Sequence, residues 1–291
     1  MSQSASTALG KHTTTARPAR WLLPIVVFGL PCVTVLLPLL TFLTYSFWSM
    51  EGGRPVADFT FDNYVKFAGD PGYVGVYFST LWMTLFVAIF ALIAGYIIAY
   101  CIWRLDGPIR NILLLSSVLP LSISYIVKIY SMRNILGFSG FLNQILVWSG
   151  FLSEPSRTFL FNQTAVTISM TMIYLPFGIL PIYLALDRIP RSLIAASEDL
   201  GAYPWRTFTR IVLPLSAPGA VAGGMFVMVL ALGDFLTPQM VGGTSGFTFG
   251  RAVWSQFGLA FNWPFGAALA VVLLLTVAAL MALANLLVRR T

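Results

Sequence analysis

Hydrophobic positions run along this chain in long continuous blocks. They neither alternate as in a half-buried strand nor form the narrow stripe of a soluble helix. The first block extends from Trp21 to Trp48, and others fall at roughly 78–103, 110–131, 163–187, 212–235 and 265–288. Each is about 20 residues or longer, enough for a helix to cross the hydrocarbon core of a bilayer. Proline recurs inside them, at Pro31, Pro38, Pro120, Pro176 and Pro181. A soluble helix breaks at such positions, whereas a membrane helix tolerates them when neighbours satisfy the freed carbonyls. Trp21, Trp48, Trp82 and Trp103 lie near block ends, where interfacial aromatics gather. The pattern predicts an all-α membrane protein with six transmembrane helices.

Residues 1–20 are rich in Ser, Thr and Ala and read as a disordered tail, leaving 21–291 as the transmembrane domain. The run from Trp21 is too long for the apolar core of a cleaved signal peptide and lacks a small-residue exit. Residues 49–77 are acidic and predict a partly irregular loop. Within 134–162, "GFLNQILVWSGF" (Gly140–Phe151) is too short to span, so it predicts a helix in or near the membrane interface. Residues 236–264 carry "VGGTSGFTFG" (Val241–Gly250), which predicts a mobile glycine-rich loop.

Composition agrees with the pattern: the 291 residues are 58% hydrophobic and 9% charged, against about 25% charged in soluble domains. The net charge of +7 is informative through its distribution. Lys11, Arg17, Arg20, Arg104, Arg110, Arg188, Arg191, Arg206, Arg210, Arg289 and Arg290 fall on one side of a six-span topology. Only Arg54, Lys66, Arg133, Arg157 and Arg251 fall on the other. Both termini and the 188–210 loop are therefore expected in the cytoplasm. The basic residues are scattered singly and form no nucleic-acid patch.

Chemistry is sparse. Cys32 and Cys101 both sit in apolar runs and predict no structural disulfide. His12 is the only histidine and lies in the tail, so neither a metal site nor a hydrolytic triad is expected. Lys11, Lys66 and Lys128 are followed by His12, Phe67 and Ile129, so no phosphate-cradling Lys-Ser/Thr loop exists. An enzyme is not expected. A secondary carrier couples ions through acids inside the membrane, and only Asp234 lies near that depth, so the energy for transport is expected from elsewhere.

Two charges at membrane depth are the candidate path residues. Asp234 precedes "FLTP" near the outer end of the fifth block, and Lys128 lies in the outer third of the third. Such groups face a cavity or each other. One reading is a mutual ion pair locking two spans; the other has Asp234 lining an outer gate and meeting a cationic cargo. Tyr125, Tyr130, Tyr174 and Trp254 either pack the spans or wall the same path, since a cation sits favourably over an aromatic face.

The longest polar stretch of the second half is "AASEDLGAYPWRTFTRIVLP" (Ala195–Pro214). Pro190 suits the first turn of a short helix and Gly201 its end. Leu193, Ile194, Ser197 and Leu200 fall near one face of it. A second short helix can start at Pro204, with Trp205, Phe208 and Val212 at helical spacing. The apolar groups of this elbow either meet a partner or anchor the fifth span; the pattern leaves both open.

The elbow resembles the cytoplasmic loop of binding-protein-dependent ABC importer permeases. Their pattern is Glu-Ala-Ala, three residues, Gly, nine residues, Ile, one residue, Leu-Pro. Ala195, Ala196 and Ser197 occupy the first three places, and Gly201, Ile211, Leu213 and Pro214 match at the required spacing. Ala195 replaces the family Glu, Ser197 replaces an Ala, and Glu198 stands one turn away on a shifted face. Four further stretches look like the spermidine/putrescine-type branch. They are "LPLSISYIVKIYSMRNILG" (Leu119–Gly137), "YLPFGILPIYLALDRIPRSL" (Tyr174–Leu193), "LGDFLTPQMVGG" (Leu232–Gly243) and "NWPFGAAL" (Asn262–Leu269). That branch usually has Arg where Lys128 stands and Ala-Trp where Ser131 and Met132 stand.

The resemblance implies a type I ABC importer permease in a bacterial inner membrane, with a coupling loop at about 188–213. Two separate ATPase subunits, which carry ATP and Mg, would dock on it. A second, different permease chain would complete the pathway, and a soluble substrate-binding protein would deliver cargo from outside. The implied cargo is a polyamine. The alternatives are another small polar solute (an amino-acid-like compound, an opine or an organic ion) or, from a different class, a self-sufficient carrier.

Overall fold

The computed structural model of the chain describes residue 27 and residues 29–288, with side chains to residue 286. The predicted tail, most of the start of the first block, and Arg289 and Arg290 lie outside the described residues. Helix α1 spans Leu30–Tyr45, and none of its residues is buried. A hairpin follows, β1 (Ser49–Glu51) pairing antiparallel with β2 (Arg54–Val56) across Gly52 and Gly53. Both glycines have positive φ (57° and 79°), as a two-residue primed turn requires. Helix α2 covers Asp62–Gly69. Helix α3, Pro71–Arg104, is 34 residues long, about 51 Å. It begins seven residues before the predicted boundary because Asp70 caps it, accepting from the Gly72 amide at 2.7 Å, with Pro71 at its first position.

The predicted third span, 110–131, is not one helix. Helix α4 (Pro108–Val118) tightens into a 3₁₀ turn at Leu119–Ser122, and Ile123 and Ser124 are extended. Helix α5 (Tyr125–Leu136) then departs, so that 108–122 and 125–148 meet at 102°. Pro120 explains the break: it cannot donate to the helical ladder, and its ring crowds the preceding turn. Helix α6 (Phe141–Trp148) is the short helix expected within 134–162. Buried Asn143 pins the loop around it, donating to the Gly137 and Ser156 carbonyls and accepting from the Ser156 amide at 2.8 Å.

The body is a three-helix core of α3, α7 (Gln163–Asp187) and α10 (Leu213–Gly233). One apolar cluster joins Val87, Ala91, Val166, Met170, Ile173 and Val227; a second, nearer the other end of α7, joins Ala99, Ile102, Ile182, Leu186 and Val212. Between them the helices cross almost backbone to backbone. A Cβ on Gly223 would lie 2.8 Å from the Gly178 carbonyl oxygen, and one on Gly219 would collide with the Ala185 Cβ. Gly219 and Gly223 are four apart, the small-residue spacing by which membrane helices pack without a hydrophobic drive between them.

Four helices among the described residues are long and apolar enough to cross a membrane: Pro71–Arg104, Gln163–Asp187, Pro204–Gly233 and Trp263–Leu286. The pair 108–122 and 125–148 is apolar enough to count as a fifth crossing if it is taken as one bent span, and α1 is a shorter apolar helix of 16 residues. The expected mobile loop at 236–264 is instead packed structure: α11 (Leu236–Val241), a tight turn, and α12 (Phe249–Gly258) leading to α13 (Trp263–Val288). Val241, Thr248 and Phe249 are buried, and the Phe249 amide donates to Thr80 Oγ1 of α3 at 2.8 Å. The glycines there permit close backbone contact: a Cβ on Gly250 would lie 2.9 Å from the Asp234 carbonyl oxygen.

Candidate functional site

The elbow forms helix, hinge, helix. Helix α8 (Arg191–Asp199) starts directly after Pro190 and ends at Leu200. Gly201 then turns left-handed at φ +76°. Its amide donates to the Glu198 carbonyl at 2.8 Å, and the Ala202 amide to the Ser197 carbonyl at 3.0 Å. This paired closure satisfies the last carbonyls of the helix. Helix α9 (Pro204–Thr207) passes through a wide π turn at Phe208–Val212 into α10.

Ser197 and Thr207, both buried, share a hydrogen bond at 2.9 Å that staples α8 to α9. The hydroxyl that departs from the family pattern is therefore used. The predicted apolar face of α8 splits: Ser197 and Ile194 turn inward, but Leu193 is exposed and Leu200 is 88% exposed. Tyr203 and Trp205 also project outward. Ala195 and Glu198 line a pocket of 290 Å³ beside Trp103, Arg104 and Arg191. Ala196, Leu213 and Pro214 are exposed, and Ile211 is half-buried.

A Cβ at Gly201 would meet nothing within 4 Å, so its substitution is a backbone question. Gly201→Val is expected to cost about 1–2 kcal/mol of elbow stability through the left-handed conformation, with transport falling in step. Gly201→Asn, which tolerates that conformation, should retain most transport. Uptake by the two variants at matched membrane abundance measures the difference.

Ion pairs surround the elbow's entry. Arg110 of α4 pairs with Asp187, the last residue of α7, and donates from Nε to the Tyr183 hydroxyl at 2.8 Å. Arg191 pairs with Asp106 at 2.7 Å. The hydrogen bond from Arg191 holds the Asp106 carboxyl below the usual carboxylate range. The pair therefore stays ionised at neutral pH and is lost only as pH falls through that lowered value.

The second candidate site is built on the joint between α10 and α11. Asp234 is extended there (φ −72°, ψ 119°) and only 7% exposed. Its Oδ1 accepts from the Leu236 and Thr237 amides at 2.9 and 3.1 Å, capping α11. Its Oδ2 accepts from the Tyr125 hydroxyl at 2.5 Å and the Tyr174 hydroxyl at 3.0 Å. The two tyrosines lie 2.8 Å apart at their hydroxyls, and Thr237 Oγ1 stands 2.7 Å from that of Tyr125. Four donors thus converge on one carboxylate, with every partner supplied by α5, α7 or α11.

The Asp234–Lys128 ion pair does not form. Among the described residues the ion pairs are the two named above. Lys128 instead sits beside the node, its Nζ 5.6 Å from the centre of the Tyr125 ring. The acid is already satisfied by neutral donors. Trp254 of α12 stacks on Phe235 at 5.9 Å and 7°, one residue beyond the carboxylate. Tyr130 is exposed and does not join the node. Thr237 joins the node through its hydroxyl, a contact across 112 residues that nothing in the local sequence signals.

The sequence pattern described as "Binding-protein-dependent transport system inner membrane component" matches residues 91–291. The chain belongs to this family. As such an inner-membrane component it is a multi-pass permease and a transport protein, not an enzyme. It is 34% identical over 250 residues, 86% of each chain, to the spermidine/putrescine transport system permease protein PotB of Salmonella typhimurium (strain SL1344). It is also 34% identical over 270 residues to the inner membrane ABC transporter permease protein YdcU of Escherichia coli (strain K12), covering 88% and 84%. The permease fold matches a chain of a bacterial ABC transporter that imports the acidic polysaccharide alginate, with TM-score 0.75, 17% identity and coverage of 94% and 96%. These relatives agree with the family and branch that the motifs resembled, and the fold is that of an ABC importer permease.

Proposed function

We propose that this permease is one of two transmembrane subunits of an ATP-driven importer that carries polyamines inward. The observation that carries the cargo reading is Asp234, a buried carboxylate in a polar node of a chain related to spermidine/putrescine permeases. Asp234 meets an ammonium group of the cargo, Tyr125 and Tyr174 present it, and Trp254 and Lys128 border the path. A second, different permease chain completes that path. The six-span topology puts both termini and the elbow in the cytoplasm, following the excess of Lys and Arg on that side.

The elbow engages the ATPase. Ala195, Ala196, Ser197, Glu198 and Gly201 form its docking helix and hinge, and Ile211, Leu213 and Pro214 root it in α10. Exposed Leu200, Tyr203 and Trp205 support a protein-binding surface there. Two ATPase copies bind ATP and Mg, and a soluble binding protein delivers cargo on the opposite face. Lys128 beside the node favours one other reading: a zwitterionic, amino-acid-like solute whose anionic group meets the lysine.

Purification of the tagged chain with its neighbours and reconstitution into proteoliposomes tests these points. ATP-dependent uptake of putrescine, with an ATPase retained on the complex, is the expected result. ATP-dependent uptake of a zwitterion but not of putrescine would replace the cargo. Uptake without ATP would make the chain a carrier.

A further inference from the structure

Both ion pairs among the described residues grip the same short stretch. Arg110 holds Asp187, where α7 ends, and Asp106 holds Arg191, where α8 begins. The root of α4 is thereby tied to both ends of the segment from which the elbow hangs. Tyr183 backs the first pair through the Arg110 Nε.

Helix α4 packs on this chain along one side only: Leu114 meets the second apolar cluster, and none of its residues is fully buried. It has a joint at each end. Gly107, at φ +73°, precedes it; extended Ile123 and Ser124 follow its last turn. The next residue is Tyr125, whose hydroxyl bonds Asp234. A stiff segment between two joints is thus fastened at one end to the elbow and at the other to the carboxylate node.

We propose that α4 acts as a connecting rod, with Asp106 and Arg110 as positioning residues that transmit movement of α8 to Tyr125 and so to Asp234. The proposal rests on reading α8 as the ATPase-facing helix. When the ATPases draw α8 inward, Arg191 carries Asp106 with it, the Gly107 joint turns, and the far end of α4 shifts the Tyr125 hydroxyl relative to Asp234. A purely structural role predicts otherwise. Exposed ion pairs contribute little to stability, so losing one would leave uptake nearly unchanged or lower it in proportion to abundance.

The test uses the complete reconstituted complex with its ATPase and binding protein, and measures putrescine uptake, ATP hydrolysis and ATPase retention. Asp106→Arg is expected to lower uptake per ATP hydrolysed by about fivefold or more, the lower end of ordinary coupling between sites. Abundance, ATPase retention and hydrolysis stay within about twofold of wild type. Adding Arg191→Asp restores the opposite charges, and uptake per ATP should recover to within about twofold. Unchanged uptake per ATP in Asp106→Arg, or no recovery in the exchanged pair, overturns the rod. Loss of the ATPase from the wild-type complex would overturn the reading of α8, and the rod with it.

Discussion

Gly223→Leu should leave almost no folded protein in the membrane. The α7–α10 crossing has no room for a side chain there, because a Cβ already falls 2.8 Å from the Gly178 carbonyl oxygen and 3.3 Å from the Gly178 Cα. Those neighbours are backbone and cannot rotate aside. Even one inserted methyl costs roughly 1–3 kcal/mol. Leucine must drive the helices apart and open the apolar clusters on both sides, a loss above about 4 kcal/mol, in the exceptional range for single changes. Gly224 is the control. A Cβ there meets only the Leu92 Cδ1, at 3.4 Å, so Gly224→Ala should melt close to wild type. Membrane abundance and thermal unfolding of the purified variants decide the matter. A Gly223→Leu protein that melts within a few degrees of wild type would show that the crossing is not tight.

Asp234→Asn is the second change with a large expected effect, and it falls on function rather than folding. The amide keeps an oxygen for the α11 amides or for the phenols, and tyrosine hydroxyls can turn to accept as well as donate. Assembly and ATP hydrolysis should therefore persist. Removing the negative charge takes away a charge-assisted contact of about 1.5–3 kcal/mol, so putrescine uptake should fall about tenfold or more. Exchanging the charges, with Asp234→Lys and Lys128→Asp together, should not rescue it, because the two residues are not paired. Recovery of uptake in that double variant would remove Asp234 from the cargo path. A fall in abundance matching the fall in uptake in Asp234→Asn would make the residue a structural cap alone.

The legible parts of the sequence were those governed by solvent. The apolar run at 163–187 became α7 with the same bounds, since lipid forces every backbone group into a helix. The punctuation of the elbow likewise acts locally, through φ and missing donors: Gly201 ends α8 and Pro204 starts α9 as expected, while Pro190 stands one place ahead of the first turn rather than within it. The run at 110–131 misled because hydropathy does not register the backbone at Pro120, Ile123 and Ser124. The glycines between Gly242 and Gly250 suggested freedom, yet they permit contact with neighbouring backbone that only the assembled fold supplies.

Asp234 stood out as an isolated acid, but its partners depend on where the bend after α4 directs α5. That geometry selects the Tyr125 hydroxyl and leaves Lys128 beside it. Ser197 looked like a departure from a motif. Its meaning came from Thr207, which the hinge at Gly201 folds back against it.

The glycine crossing has a consequence beyond tightness. At Gly178 and Gly223 the two backbones touch with no side chain between them, while apolar side chains pack on either side. Gly178 lies 15 residues from the start of α7 and nine from its end, so the unequal arms measure about 22 Å and about 14 Å. A turn of about 10° at this fulcrum would sweep the first end by about 4 Å and the second by about 2 Å, in opposite directions. The close contact therefore fixes the separation of α7 and α10, so that a small tilt of one against the other is felt most at the far ends of α7 and least at the glycines.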